Sequence, residues 1–286
     1  MAINYFDEII KRASSRNFAD TPVSDDDLKA LAEFFDKCPR LDKDIELSMI
    51  FTDADTKDKV GKNAGYHGFM IAAPKYMLIF SEKKEHYIEN AGFVAQAMTL
   101  KMTELGLSAC WATINDADAI KDAIAPGEDK ALTVIVAFGH KGEDDKDVRL
   151  DIKSPSNVKM VKRENAAAPK ISVDDLVSYK AFGQKVARES VYEDLENALL
   201  AVSVAQSFFN RQPYRLILNE DSVYLIGIED EMTSAEDTLL NYGIAMFNFA
   251  SVLGDRRASA PSWSFDKPAE DVKLPEGHKY IAKCGL

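Results

Sequence analysis

Two distant parts of the chain share a pattern in which a long helix and a tryptophan follow each other at nearly the same spacing. The first helix is predicted to open with Asn90-Ala91-Gly92-Phe93, and the second with Asn241-Tyr242-Gly243-Ile244. Trp111 lies 21 positions after the first asparagine, and Trp263 lies 22 positions after the second. Because N-x-G is a short pattern, chance alone could produce this match. Together with the same predicted order of helix, strand, strand and long helix in both parts, it favours an internal duplication.

Hydrophobic periodicity predicts the elements of each part. A helix over about residues 4–14 leads into an extended crossing at 17–23, and Ser24 caps a second helix. The run from Leu132 to Phe138 is continuous, apolar and β-branched, which predicts a central strand buried on both faces. Residues 139–174 are polar with little periodicity, and we interpret them as a long connector. The other predicted helices cover about 25–37, 87–105 (ending at Gly106), 192–207 and 238–253, and the other strands cover 45–52, 76–80, 214–219 and 223–228.

The predicted elements divide the chain into a first half at residues 1–150, a connector at 151–175 and a second half at 176–286. The chain has 35 Lys and Arg against 47 Asp and Glu, a formal net charge of −12. This charge argues against nucleic acids and anionic membrane surfaces as partners, because both select basic faces. With no secretory signal and no apolar run of roughly 20 residues, we expect a cytoplasmic protein. Three scattered cysteines and four dispersed histidines give no metal-site spacing.

The first of three stretches with candidate chemistry is Lys11-Arg12-Ala13-Ser14-Ser15-Arg16-Asn17-Phe18. If the first helix extends through it, Arg12 and Arg16 lie four positions apart and share a face. Two guanidinium groups and a hydroxyl at a helix end could bind a phosphate or the polar edge of a planar cofactor. A solvated basic turn explains the same residues, and on this stretch alone it is the better interpretation.

The second stretch is residues 206–215, QSFFNRQPYR, and it leads into a predicted strand. It combines a hydroxyl, side-chain amides and two guanidinium groups within ten positions. Amide side chains both donate and accept hydrogen bonds, as the edge of a heteroaromatic ring requires. A helix end followed by an ordinary loop explains the stretch adequately when it is taken alone.

The third stretch is residues 106–115, GLSACWATIN, which places small residues and a tryptophan directly after a predicted helix end. Small residues allow the backbone to approach a flat ligand closely. Taken alone, a strand with a buried tryptophan is the better interpretation.

Taken together, the three stretches resemble the nitroreductase (NADH oxidase-like) flavoenzymes. The resemblance rests on R-x-S-x-R-x-F followed by Pro-Val, on the S-x-x-N-R-Q-P-Y-R loop and on the helix ending G-L-x-x-C-W. It extends from about residue 4 to residue 263 and is greatest to the subgroup in which two family-like halves are fused in one chain. It implies an α+β nitroreductase-like fold, in which two related α/β halves form an internal pseudo-dimer around one flavin cleft.

The resemblance also implies an FMN site built from both halves, because the family's usual homodimer binds FMN with residues of both subunits. No catalytic acid or base is identified, and the predicted site residues all bind the cofactor. The family motif that binds the phosphate, ribityl chain and pyrimidine edge of FMN is matched by Arg12, Ser14 and Arg16. The segment beside the flavin nitrogen N5 is matched by Trp111, Ala112 and Thr113, and the residue that neutralises the phosphate by Arg149, with Lys153 as an alternative. The loop from the other subunit is matched by Ser207, Asn210 and Gln212.

The expected FMN site needs two half-motifs, the basic R-x-S-x-R start and the N-R-Q-P loop, and each occurs only once in the chain. The basic start is broken at residues 184–190 of the second half, and residues 35–40 of the first half lack the N-R-Q-P loop. The two half-motifs can therefore complete one composite site, which predicts one FMN per chain and makes a monomer sufficient. The chain has no G-x-G-x-x-G after a strand, so a separate nicotinamide-binding domain is not indicated.

The function that the resemblance implies is an FMN-dependent oxidoreductase with a ping-pong reaction. NADH or NADPH would donate hydride, and small electron-poor molecules such as nitroaromatics or quinones would accept it, with Tyr66, Phe208 and Phe209 as candidates for the pocket wall. The alternative is a non-catalytic FMN-binding protein, a flavin sensor or carrier on a degenerate nitroreductase fold, because a fold does not by itself establish turnover.

Overall fold

The computed structural model describes residues 3–143, 148–154, 157–162, 170–186, 192–255, 261–268 and 272–286. Backbone contacts divide the chain into two compact units. The first unit is Lys11–Ala168, and the second unit is Met1–Ile10 together with Pro169–Leu286. The first ten residues thus group with the second unit, although the sequence analysis placed them in the first half.

A four-stranded antiparallel sheet forms the centre of the first unit. Its strands are β1 (Leu47–Asp53), β2 (Lys75–Ser81), β3 (Ser108–Ala112) and β4 (Ala131–Gly139). They lie in the order β1-β2-β4-β3, so β4 is an interior strand with β2 and β3 as neighbours. Its residues are buried from Leu132 to Gly139. The prediction of a central strand from the apolar run is confirmed.

Helices cover both faces of this sheet. Tyr76, Leu78 and Phe80 alternate along β2 and pack in one cluster with Val60 and Ile120. The long helix α4 contacts β2, β3 and β4, and every residue from 88 to 100 is buried. A helix that is buried all round belongs to the core of a protein. The helices of this unit are α2 (Asp25–Lys37), α3 (Thr56–Val60), α4 (Tyr87–Glu104) and α5 (Ala117–Ile124).

The ends of α2 and α4 follow from local chemistry. The Oγ of Ser24 accepts a hydrogen bond from the backbone N–H of Asp27 at 3.1 Å, which caps the first turn of α2 as predicted. After α4, Gly106 adopts a φ of +77°, a left-handed conformation that glycine reaches without strain and that ends a helix. The first helix, α1 (Tyr5–Lys11), is shorter than the predicted 4–14.

A two-stranded hairpin lies within the segment that we interpreted from the sequence as a long connector. Its strands are β5 (Val148–Ser154) and β6 (Asn157–Lys162), and they pair antiparallel. Apolar residues alternate at 148, 150 and 152, but so short an alternation among lysines and acidic residues gave too weak a strand signal.

The second unit contains a five-stranded sheet in the order β10-β11-β9-β8-β7. Strands β8 and β9 form the predicted hairpin, closed by a hydrogen bond from the N–H of Asn219 to the carbonyl oxygen of Ser222 at 2.8 Å. The strands are β7 (Val177–Tyr179), β8 (Tyr214–Leu218), β9 (Ser222–Ile228), β10 (Trp263–Ser264) and β11 (His278–Gly285), and the helices are α6 (Val173–Leu176), α7 (Glu193–Ser203) and α8 (Ala235–Gly254).

The four strands of the first sheet and four of the five strands of the second sheet lie in the same order. The arrangement β1-β2-β4-β3 of the first unit corresponds to β8-β9-β11-β10 of the second, all with antiparallel neighbours. In both units a long helix follows the second strand, and it contacts the helix that precedes the first, as α2 contacts α4 and α7 contacts α8. Trp111 lies in β3 and Trp263 in the corresponding β10. Among the described helices, none combines the length and the apolar character that crossing a membrane requires.

Candidate cofactor-binding site

The R-x-S-x-R segment lies in extended conformation beside the first residues of β3. Ser14 forms a parallel bridge with Ala109, and the N–H of Ser15 donates to the carbonyl oxygen of Ala109 at 3.1 Å. The prediction that Arg12 and Arg16 share a helical face is wrong, because α1 ends at Lys11. The side chains of Arg12 and Ser14 contact each other, and the charge of Arg16 acts on Arg12.

The residues after Ser15 attach this segment to the chain that follows β4. The Oγ of Ser15, a buried residue, donates to the carbonyl oxygen of Asn17 at 3.0 Å. That same oxygen accepts from the N–H of Gly142 at 3.0 Å, and the Nδ2 of Asn17 donates to the oxygen of Glu143 at 2.6 Å. A Cβ on Gly142 would lie 2.9 Å from the Cγ of Asn17. The absence of a side chain at this position allows the close approach.

The two arginines of the segment are electrostatically coupled. The pKa of Arg12 is lowered to about 10, mainly by burial and to a smaller extent by the charge of Arg16, while Cys110 acts in the opposite direction. A hydrogen bond of 3.5 Å joins the Nη1 of Arg12 to the Oγ of Ser14. At neutral pH both guanidinium groups are charged, so the segment presents two neighbouring cations. A bound anion would stabilise this arrangement.

Trp111 extends this cluster along β3. Its Nε1 atom is buried, and the described residues offer it no hydrogen-bond partner. The N–H of indole can only donate, and a buried donor without a partner costs free energy. An acceptor atom of a bound ligand would satisfy it.

A glycine-rich loop at residues 61–69 is fixed against the end of the Trp111 segment. The N–H of Gly65 donates to the carbonyl oxygen of Thr113 at 2.7 Å, and the Nδ2 of Asn115 donates to the oxygens of Gly65 and Lys62 at 2.9 and 3.1 Å. The loop carries Tyr66, so this candidate for the pocket wall lies close in sequence to residues bonded to Thr113. The hydrogen bonds by which Asn115 holds this loop were not predicted from the sequence. The glycines at 61, 65 and 68 indicate a turn, but not which residue holds it.

In the second unit, the predicted loop residues Ser207 and Gln212 hold the loop together. Gln212 is buried, and its Nε2 donates to the carbonyl oxygen of Ser203 at 2.7 Å. Its Oε1 accepts from the N–H of Ile171 at 2.9 Å, and its own N–H donates to the Oγ of Ser207 at 2.9 Å. In this geometry both ends of the Gln212 amide are bonded to backbone groups of the unit.

Asn210 lies in the same loop and is bonded to a lysine that the sequence analysis did not consider. The Nζ of Lys170 donates to the Oδ1 of Asn210 at 2.5 Å and to the carbonyl oxygen of Ala205 at 2.9 Å. Phe209, Asn210 and Gln212 have φ values of +49°, +56° and +46°. Left-handed backbone at non-glycine residues is strained and clusters at functional sites.

Comparison with known proteins identifies the family. The family model described as "Putative TM nitroreductase" matches residues 4–251. The chain belongs to this nitroreductase family. It is therefore an oxidoreductase, and the predictions of family and of fold class are confirmed. No curated protein matches the chain.

Solved structures of nitroreductases match the chain over nearly all or about half of its length. One from Thermotoga maritima, described as a "putative nitroreductase", has a TM-score of 0.59 and 14% identity and covers 99% of this chain and 94% of its own. An FMN-dependent nitroreductase from Clostridium difficile has a TM-score of 0.42 and 20% identity and covers 50% of this chain and 89% of its own. A protein from Bacteroides thetaiotaomicron, described as a "Putative NADH dehydrogenase/NAD(P)H nitroreductase", has a TM-score of 0.42 and 16% identity and covers 50% of this chain and 89% of its own.

The remaining predicted residues of this nitroreductase are only partly described. Ala112 ends β3 and pairs with Ile135. Arg149 lies in β5, where its backbone pairs with Val161, but its side chain and that of Lys153 lie outside the described part. Residues 187–190, where the sequence analysis found the basic motif broken, also lie outside it. Within the described residues no cluster of His, Cys, Asp or Glu could hold a metal ion.

Proposed function

We propose that the protein is an FMN-dependent oxidoreductase that takes hydride from NADH or NADPH and reduces small electron-poor acceptors such as nitroaromatics or quinones in a ping-pong reaction. The observation that carries this proposal is the bridge between Ser14 and Ala109. It joins two of the three stretches on which the resemblance rests, although they are far apart in sequence. A solvated basic turn would not require such a contact.

The chemistry of the first unit fits a ligand that is both anionic and planar. Arg12 and Arg16 are neighbouring cations whose repulsion an anion would relieve, and FMN carries a phosphate. The buried Nε1 of Trp111 needs an acceptor, and the ring system of FMN has carbonyl oxygens and ring nitrogens. FMN combines an anionic group with hydrogen-bond acceptors on its ring system, so one molecule meets both requirements.

We propose the following roles for the protein's residues. Arg12, Ser14 and Arg16 bind the phosphate and the polar ring edge of FMN, and Trp111 with its neighbours Ala112 and Thr113 orients the ring. FMN, when bound, supplies the two-electron redox chemistry that amino-acid side chains lack. Solvent provides the proton that the reduced acceptor takes up.

We propose that Ser207, Asn210 and Gln212 also bind FMN, and that Arg149 or Lys153 neutralises its phosphate. The common strand order of the two sheets supports an internal duplication, and the single copy of each half-motif supports one FMN per chain. A monomer in the cytoplasm is then sufficient for function.

The visible spectrum of the purified protein tests the proposal, followed by anaerobic addition of NADH or NADPH. We expect a flavin band that accounts for one FMN per chain and is bleached rapidly. A flavin band that neither nucleotide bleaches would instead support the flavin sensor or carrier. No flavin band after reconstitution with FMN would overturn the cofactor assignment.

A further inference from the structure

Lys170 and Asn210 form a contact that the proposed roles above do not use. Lys170 lies within the predicted connector, and its ammonium group bonds both to the side chain of Asn210 and to the backbone oxygen of Ala205. The backbone N–H of the next residue, Ile171, donates to the Oε1 of Gln212. Two consecutive residues therefore hold the loop at residues 207–212 through two of its side chains.

The lysine determines how the Asn210 amide is oriented. An ammonium group has three donors and no acceptor, so only the oxygen of the amide can face it. The usual ambiguity between the oxygen and nitrogen of an asparagine side chain is thereby removed. With Oδ1 facing Lys170, the NH2 group points to the other side and offers only hydrogen-bond donors.

The backbone of the loop at residues 207–212 is held in a strained conformation by hydrogen bonds from elsewhere in the chain. Phe209 and Gln212 have left-handed φ values of +49° and +46°, which neither residue type adopts readily. Such strain persists only where surrounding bonds over-determine the conformation. The bonds from Lys170 and Ile171 are of this kind, because they join the loop to a segment about forty residues earlier in the chain.

We propose that Lys170 is a positioning residue of the cofactor site, which fixes Asn210 as a hydrogen-bond donor toward an acceptor atom of FMN. Lys170 acts through Asn210 and does not touch the cofactor. This inference rests on the proposed function, because it requires that the loop at residues 207–212 binds FMN.

The test is a double-mutant cycle on the full chain, with FMN affinity measured by titrating the flavin-free protein and following FMN fluorescence. We expect Lys170→Met to weaken FMN binding about tenfold, as the loss of one charge-fixed hydrogen bond would. Lys170→Arg retains the donors and should bind within about threefold of the unaltered chain. In an Asn210→Ala background, Lys170→Met should have no further effect, because the group that it positions is gone.

Asn210→Asp provides a second, independent test. A carboxylate can still accept from Lys170, but its other oxygen cannot donate, so FMN binding should weaken at least as much as in Asn210→Ala. Lys180→Met is the matched control, since Lys180 lies in the same unit and pairs with Glu220 at the surface. It should leave FMN affinity unchanged, and thermal unfolding of each variant shows whether it is folded.

The outcomes distinguish this inference from the proposed function. If the unaltered chain binds FMN and Lys170→Met binds it within about twofold, the positioning role is overturned while the proposed function stands. Equal losses from Lys170→Met with and without Asn210 would also overturn it, because they would show a general structural effect. Failure of the unaltered chain to bind FMN would overturn both.

Discussion

Trp263 donates its indole N–H to the carbonyl oxygen of Met246 at 2.9 Å, within the second unit. In the first unit, Trp111 occupies the corresponding strand after the corresponding long helix, yet its buried Nε1 has no partner among the described residues. The two halves thus use the same residue differently. In the second unit the indole N–H stabilises the fold, and in the first we propose that it donates to a ligand.

This difference predicts the fluorescence behaviour of the two tryptophans, which are the only ones in the chain. In a Trp263→Phe variant, addition of FMN should still quench most of the tryptophan emission, because Trp111 lies at the proposed site. In a Trp111→Phe variant, quenching should be largely lost and FMN should bind about tenfold more weakly. Equal quenching in the two variants would contradict the assignment of Trp111.

We expect Arg12 to lower the stability of the flavin-free protein while it strengthens FMN binding. Burial and the neighbouring Arg16 lower its pKa to about 10. Since the folded state disfavours the charged form, the resulting free-energy penalty is present below a pH of about 10 and is relieved above it. Arg12→Met should therefore stabilise the flavin-free protein by about 1–2 kcal/mol at neutral pH, while FMN affinity falls at least about tenfold.

Urea unfolding and FMN titration of the Arg12→Met variant measure both effects. Lys29→Met removes a cation from an exposed position on α2 and should change stability by no more than about 0.5 kcal/mol. A destabilised Arg12→Met protein would show that the guanidinium group serves the fold rather than a ligand.

Local signals in the sequence were sufficient to predict the four longest helices and five of the strands. The Ser24 cap, the glycine after α4 and the apolar run of β4 each depend on residues close together in the chain. The R-x-S-x-R segment was misread as helix because the preceding periodicity was extended through it. Its conformation is determined by pairing with Ala109, a residue far along the chain that no local pattern indicates.

The sequence nominates the candidate site residues as a set, but it does not indicate how their side chains are oriented. Gln212 was assigned to a ligand because its type and position match the family motif. In the structure its amide is bonded to Ile171 and Ser203, and only tertiary contacts reveal this. Lys170 was overlooked for the same reason, because a lysine within a polar connector has no distinguishing pattern.

Two glycines of the loop at residues 61–69, with Gly127 outside it as a control, allow the loop geometry to be tested in steps. Gly65 has a φ of +83°, and a Cβ there would lie 1.9 Å from the carbonyl oxygen of Phe69, so Gly65→Ala should cost about 2–4 kcal/mol of unfolding free energy. Gly61 has a φ of +53° but open space around it, so Gly61→Ala should cost about 1 kcal/mol. Gly127→Ala has neither constraint and should be neutral or slightly stabilising. Equal values for all three, measured by denaturant unfolding, would contradict the loop geometry.

The buried amide of Gln212 predicts a large loss of stability on truncation. Gln212→Ala leaves the N–H of Ile171 and the oxygen of Ser203 without their partners, which should lower the free energy of unfolding by about 2–4 kcal/mol. Gln184 is exposed, and Gln184→Ala should change it by less than about 0.5 kcal/mol. Similar urea midpoints for the two variants would show that the Gln212 amide is not held as described.

Tyr214 predicts how the protein unfolds at alkaline pH. Its side chain is fully buried, and burial raises the pKa of the phenol to about 12, against smaller opposing effects of Gln212 and Arg215. The unfolded chain releases this proton near the ordinary tyrosine pKa of 10. The stability that Tyr214 contributes is therefore complete below pH 10 and is lost as the pH rises from about 10 to 12.

Replacing Tyr214 by phenylalanine removes this titration together with the hydrogen bond to the oxygen of Val202. The variant should be less stable by about 1 kcal/mol at pH 8 but should lose less stability than the unaltered chain between pH 9 and about 11. Cys38 and Tyr280 also have raised pKa values, and the lowered pKa of Arg12 acts with the opposite sign. The informative quantity is therefore the difference in urea midpoint between the variant and the unaltered chain at each pH. Tyr192→Phe, at a position with 47% exposure, is the control. If the urea midpoint of Tyr214→Phe changed with pH in parallel with that of the unaltered chain, Tyr214 would be excluded as a source of the stability lost at alkaline pH.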